Sequence, residues 1–112
     1  MKVAMSVQGQ SADSKVDQRF GRCNAFAILD TESGELEFVA NHEKDKGSGI
    51  NAANTILKYN PDAVIVGNIG PKAFQVLSRA GLKIYEGLTG SIQESARLLQ
   101  DGKLKEISSP NN

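Results

Sequence analysis

Apolar and polar positions alternate in some stretches of this chain and run together in others, and the changes of period mark its elements. Val3, Met5 and Val7 alternate with the small residues Ala4 and Ser6, which predicts a strand over 3–7 able to be buried on both faces. Residues 25–29 are apolar throughout and read as a central strand. Thr31-Glu32-Ser33-Gly34 predicts a hairpin turn with Gly34 in a left-handed position. Over 35–40, Leu36 and Phe38 point in while Glu35 and Glu37 point out, as in a strand at or near an edge. The period then lengthens. Ile50, Ala53 and Leu57 mark one helix face, with Ser48 as the expected N-cap and Asn60-Pro61-Asp62 as the stop. Residues 63–66 form an unbroken apolar run, the mark of a buried parallel strand. Pro71 opens a second helix with an inward stripe of Ala73, Leu77 and Ala80, Phe74 beside it, and Gly81 as its stop. Residues 82–85 predict the last strand. Ser91-x-x-Glu94 is a capping box that opens a third helix, with Ile92, Ala96 and Leu99 on one face and Gly102 at its end.

The order β-β-β-α-β-α-β-α predicts an α/β chain with a mixed five-stranded sheet covered by helices. One domain spans 1–102, and 103–112 is expected to be a flexible tail. Chain direction adds a functional expectation. If the second strand runs antiparallel to the first, loops 8–22, 41–48 and 67–71 all lie at one edge of the sheet. Open α/β sheets bind ligands at the carboxyl ends of their strands for the same topological reason.

Composition narrows the classes. The 112 residues carry 13 basic and 13 acidic side chains, so net charge gives no case for nucleic acid or an anionic membrane as a partner. No run approaches the ~20 apolar residues of a membrane helix. The chain enters a strand pattern at once instead of a signal peptide, and its single Cys23 has no internal disulfide partner, which points to the cytoplasm. One Cys and one His also exclude a four-thiolate cluster site or a closed zinc site built by one copy of the chain.

The chemistry at the loop edge favours an anion. Gly47-Ser48-Gly49 and Gly67-Asn68-Ile69-Gly70 both precede helices, whose N-termini offer free N–H groups and partial positive charge, and glycine lets a ligand approach the backbone. Arg19 and Arg22 flank Phe20-Gly21, and Lys44 and Lys46 lie in the second loop. Cys23 and His42 are the only soft or borderline metal ligands, and both fall at or beside these loops. Plainer readings stand beside these. The glycines serve tight turns in many loops, paired arginines are commonly solvated, a lone Cys is commonly a small buried hydrophobe, and His42 reads more readily as a surface residue than as a ligand. Gly47-x-Gly49-x-x-Ala52 matches a dinucleotide fingerprint but lacks its first-strand context and its acidic partner. Metal-dependent nuclease chemistry needs carboxylates converging on the strands, and 1–7 and 63–66 contain none.

Three segments together resemble the dinitrogenase iron–molybdenum cofactor-binding family, of the NifX and NifB C-terminal type. They are Val16-Asp17-Gln18-Arg19-Phe20-Gly21-Arg22-Cys23, the helix start Gly47-Ser48-Gly49-Ile50, and Val64-Ile65-Val66-Gly67-Asn68-Ile69-Gly70-Pro71-Lys72-Ala73. The resemblance continues through Gly81-Leu82-Lys83-Ile84-Tyr85 and Ser91-Ile92-Gln93-Glu94-Ser95-Ala96. It implies a ribonuclease-H-like three-layer α/β/α fold with strand order 3-2-1-4-5 and strand 2 antiparallel. It also implies a non-enzymatic carrier, in cofactor assembly or trafficking, of an anionic metal–sulfur cluster. The cargo would be an iron–molybdenum cofactor, its precursor or a related molybdenum, iron or copper sulfide. The ligand loops would fall on Arg19, Phe20, Gly21 and Arg22, on Gly47, Ser48 and Gly49, and on Gly67, Asn68, Ile69, Gly70 and Pro71, with Cys23 and His42 as metal ligands. Partners would be proteins that donate or accept the cluster. The resemblance covers only the core domain, without the extra N-terminal domain of some nitrogenase accessory proteins or the radical-enzyme portion of others, so the chain is expected to be similar to small stand-alone members of the orange-protein type. The alternative is a ligand-free regulatory module that docks to an ATPase.

Overall fold

The structure, a computed structural model, describes residues 1–42, 44 and 49–112. Six strands and three helices follow in the order β1 (Lys2–Val7), β2 (Ala25–Asp30), β3 (Leu36–Ala40), α1 (Ile50–Leu57), β4 (Ala63–Val66), α2 (Pro71–Arg79), β5 (Lys83–Glu86), α3 (Ile92–Gln100) and β6 (Lys105–Glu106). They build one mixed sheet in the order β3-β2-β1-β4-β5-β6. β1 lies at its centre, antiparallel to β2 and parallel to β4, which explains why its Ala4 and Ser6 are as fully buried as Val3, Met5 and Val7. β4 is enclosed between β1 and β5, both parallel to it, and all four of its residues are buried, as an apolar run in a parallel sheet requires.

The pleat divides the core in two. Ala4, Phe26, Ile28, Val64, Val66 and Ile84 face α1 and α2, where they meet Ala53, Ile56, Ala73, Phe74 and Leu77. Val3, Met5, Val7, Ala27, Leu29 and Ile65 face the other way, against Ile92 and Ala96 of α3. The expected order of the first five strands and the antiparallel β2 are present. The hairpin is as expected too: Gly34 has φ 80°, and the Asp30 carboxylate accepts from the Glu32 N–H at 2.9 Å, which fixes the turn.

Four expectations need correction. The sheet has six strands, because Lys105 and Glu106, in the segment expected to be a tail, pair with Glu86 and Tyr85. Leu104 and Ile107 on either side pack into opposite faces of the core and anchor that strand. The N-cap of α1 is Gly49, at φ 78° and without a side-chain cap bond, not Ser48, which itself lies outside the described residues. The buried stripe of α1 is Ala52, Ala53 and Ile56, with Leu57 half-buried, because the helix presents a face rotated from the one read off Ile50, Ala53 and Leu57. In α2, Ala80 is the exposed C-cap and takes no part in the buried stripe.

Candidate functional site

Val7, Ala25, Ala40 and Val66 end or begin their strands at the same edge, and the loops that follow β1 and β4 converge there; most of the loop after β3 lies outside the described residues. Loop 8–22 is held there by backbone pairing. Val16 bridges Val7, and Arg19 bridges Asn68 in parallel fashion. The Asn68 N–H donates to the Gln18 carbonyl at 2.6 Å, and the Phe20 N–H donates to the Asn68 carbonyl at 3.2 Å. Residues 18–20 thus run alongside the loop that leads into α2, joined to it by a single bridge. Phe20 locks the arrangement. Its ring is buried against Phe26 with centroids 5.2 Å apart.

The cleft that results has a volume of about 200 Å³. Its walls are Arg19, Phe20, Gly21 and Arg22 from the first loop, Gly49 at the start of α1, Asn68, Gly70 and Ala73 at the start of α2, and Asn112. Organic ligands usually occupy sites of roughly 300–1,000 Å³. This cleft is smaller and suits a compact inorganic group. Gly70 caps α2 in an extended conformation and provides no side-chain cap, and Pro71 at the first helical position has no N–H. The first intrahelical bond runs from the Phe74 N–H to the Gly70 carbonyl, so the N–H groups of Lys72 and Ala73 lie ahead of the ladder and lack intrahelical acceptors. A Cβ on Gly70 would have no atom within 4 Å, whereas one on Gly49 would meet the Ala73 Cβ at 3.1 Å. Gly70 therefore leaves space open in front of the α2 terminus, and Gly49 lets two helix N-termini approach each other.

The two arginines differ. Asp17 is 3% exposed, and its carboxylate accepts from Arg19 Nε at 3.0 Å, from an Arg19 Nη at 2.9 Å and from the Arg19 backbone N–H at 2.9 Å. Burial works to raise the Asp17 pKa, but the hydrogen bonds and charge of Arg19 outweigh it and hold the carboxyl below its ordinary value. Arg19 is thus oriented and largely neutralised by its partner. Arg22 is exposed and, among the described residues, pairs with no carboxylate. Among the described residues it is the cation that this wall presents without a paired carboxylate.

Several expected site residues lie elsewhere. Cys23 is fully buried beneath the cleft, its thiol donates to the Phe20 carbonyl at 3.3 Å, and burial, followed by the charge of Asp17, pushes its pKa up to about 12. It packs the core and does not line the cleft. His42 is exposed and does not line it either. Gly67 was expected to admit a ligand, but it admits Gln18: a Cβ there would lie 2.7 Å from the Gln18 Cα. Ile69 is buried, and its N–H donates to Asn111 Oδ1 at 2.8 Å. Pro71 is exposed at the helix start and forms no wall. Gly47 and Ser48, with Lys46, lie outside the described residues. Lys44 donates to Asn24 Oδ1 at 2.8 Å. Asp17 lay within the 16–23 segment that carries the resemblance but with no signal that it orients Arg19, and Asn111, bonded to the Ile69 N–H, and Asn112, in the cleft wall, carried no sequence signal beyond polar residues in the expected tail. Among the described residues, no three His, Cys, Asp or Glu side chains group to hold a metal ion.

The family model described as dinitrogenase iron-molybdenum cofactor matches residues 1–102. The chain belongs to this family. An uncharacterized protein of Methanocaldococcus jannaschii is 34% identical over 112 residues, covering 96% of this chain and 92% of that one. Among solved structures, the apo form of the orange protein from Desulfovibrio gigas superposes with a TM-score of 0.93 at 32% identity, covering 99% of this chain and 96% of that one. A candidate NifB protein from Thermotoga superposes at 0.83, also at 32% identity, covering 99% and 97%. No helix among the described residues is long and apolar enough to cross a membrane.

Proposed function

We propose that this family member carries a compact, anionic metal–sulfur cluster in the cleft between residues 19–22 and the start of α2. The cluster would be an iron–molybdenum cofactor, its precursor or a related metal sulfide. The observation that carries the reading is the pairing of Arg22, which meets no carboxylate among the described residues, with the uncapped α2 terminus across the open space at Gly70. Backbone N–H groups and a guanidinium satisfy the sulfides of an anionic cluster without covalent ligation. The burial of Cys23 fits the same reading, because cargo held by charge and hydrogen bonds is readily released, as carriage between donor and acceptor proteins requires. The family description and the existence of an apo orange protein support a cluster as the cargo class. The role is carriage without turnover, in the cytoplasm.

Anaerobic incubation with iron, molybdate and sulfide, followed by desalting, tests this. The reading expects retained metal and sulfide in fixed ratio to protein and a visible charge-transfer band. Protein that emerges colourless and metal-free would contradict it and favour the regulatory module that docks to an ATPase.

A further inference from the structure

We propose that residues 108–112 form a latch over the cleft, and that the Asn111 carboxamide is an internal competitor that the anionic cargo must displace. The inference rests on the anion-site reading above and concerns how that site opens.

The latch has a root, a hinge and a tip. The root is β6. Leu104 and Ile107 pack into opposite faces of the core, and the Ile107 N–H donates to the Ile84 carbonyl at 2.8 Å. Beyond it, Ser108, Ser109 and Pro110 are exposed and polar or backbone-restricted, and no hydrogen bond joins them to the rest of the described chain. The tip then returns to the site. Asn111 Oδ1 accepts from the Ile69 N–H at 2.8 Å, its Nδ2 donates to the Gly67 carbonyl at 2.8 Å and to Glu86 Oε2 at 3.2 Å, and Asn112 forms part of the cleft wall.

These contacts have a specific chemistry. The carboxamide oxygen occupies a backbone donor in the glycine loop that leads into α2, beside the free donors of Lys72 and Ala73. An anion that settles at that terminus seeks the same kind of donor. Oδ1 and an anionic sulfide cannot both accept from the Ile69 N–H in line, so binding favours the open latch and the closed latch weakens binding. The donor face of Asn111 also turns away from the cleft, toward Gly67 O and Glu86, so the carboxamide does not itself coordinate the anion. Residues 103–112 lie beyond the part of the chain that the family model matches. The latch thus lies outside the family model's span and acts on the site from the sixth-strand side.

The test is a titration with tetrathiomolybdate, a simple metal–sulfide anion, followed by ¹⁵N NMR on the wild type, Asn111→Ala and Asn111→Asp. Asn111 is exposed on the outer segment, so neither change removes core packing. In the wild type, saturation should move the Asn111 side-chain NH₂ pair to solvent-like positions and shift the Ile69 amide. Asn111→Ala should bind about tenfold tighter, the effect of losing one to two net hydrogen bonds of competition. Asn111→Asp places a carboxylate against the Gly67 carbonyl and Glu86, where the carboxamide donated, so its Ile69 amide should already stand at the open-latch position before any anion is added. A loss of affinity in Asn111→Ala would overturn the latch, as would anion shifts at Arg22 and Gly70 with unmoved Asn111 and Ile69 signals; either would leave the anion site standing. Absence of binding in all three proteins would overturn both the site and its latch.

Discussion

At the scale of single residues, the arginines and the cysteine divide the work differently from what their spacing implies. Arg19 and Arg22 are symmetric about Phe20-Gly21 in sequence, but among the described residues a buried carboxylate holds Arg19 and none holds Arg22. Arg22→Ala should weaken binding of an anionic cluster by about five- to tenfold, the usual worth of an exposed charge-assisted contact. Arg19→Ala should cost less, and titration of both variants checks the ranking. The Asp17–Arg19 pair also gives a pH dependence. Asp17 has a depressed pKa when folded, so its contribution is present above the unfolded value of about 3.9 and is lost as pH falls through the folded value. Loop 16–22 should therefore loosen at acid pH before the core does, and Asp17→Asn should abolish that phase in amide-exchange measurements. Cys23 behaves in the opposite sense. Its raised pKa favours folding below the unfolded value of about 8.5, and that contribution fades as pH rises toward about 12. Its thiol should be inert to a disulfide reagent in the native protein at pH 8 and react fully in guanidinium. Sequence alone could not separate these roles. A cysteine one residue past an Arg-x-x-Arg loop looks the same whether its side chain turns up into a cleft or down onto Phe26, and only the pairing of residues 18–20 with Asn68 decides it.

At the scale of elements, two glycines one helix approach apart make opposite predictions. Gly67→Ala forces a Cβ against the Gln18 backbone and should destabilise the protein by roughly 1–3 kcal/mol, the range for overpacking. Gly70→Ala meets nothing within 4 Å and should leave the melting temperature nearly unchanged while reducing cluster affinity, because its methyl group projects into the space the cargo would occupy. Chemical denaturation paired with binding separates the two. The elements themselves were largely readable because their periods were clean. The unbroken run over 63–66 is a strand buried by parallel neighbours on both sides, and Pro71 sits where its missing N–H is harmless. β6 was not readable, since two charged residues between Leu104 and Ile107 show neither alternation nor length. That strand exists because Leu104 and Ile107 are pinned to the two faces of the core across the edge of β5.

At the scale of the whole molecule, topology assembles the site from chain segments that are remote in sequence. The meeting of the loops after β1 and β4 was legible, because chain direction alone places the ends of β1, β3 and β4 at one edge. What each loop contributes was not legible, because it depends on which backbone groups the loops spend on one another. Net charge is zero, so any attraction for an anion is local and should be screened. Cluster affinity should fall with added salt, most steeply at low ionic strength and less so in Arg22→Ala. The most direct test of the account is anaerobic cluster reconstitution of the wild type, Cys23→Ala and Arg22→Ala side by side, with metal and sulfide counted per protein after desalting. The account predicts that the wild type and Cys23→Ala retain equal amounts and Arg22→Ala much less. Retention lost in Cys23→Ala but intact in Arg22→Ala would contradict it and make the thiolate the anchor.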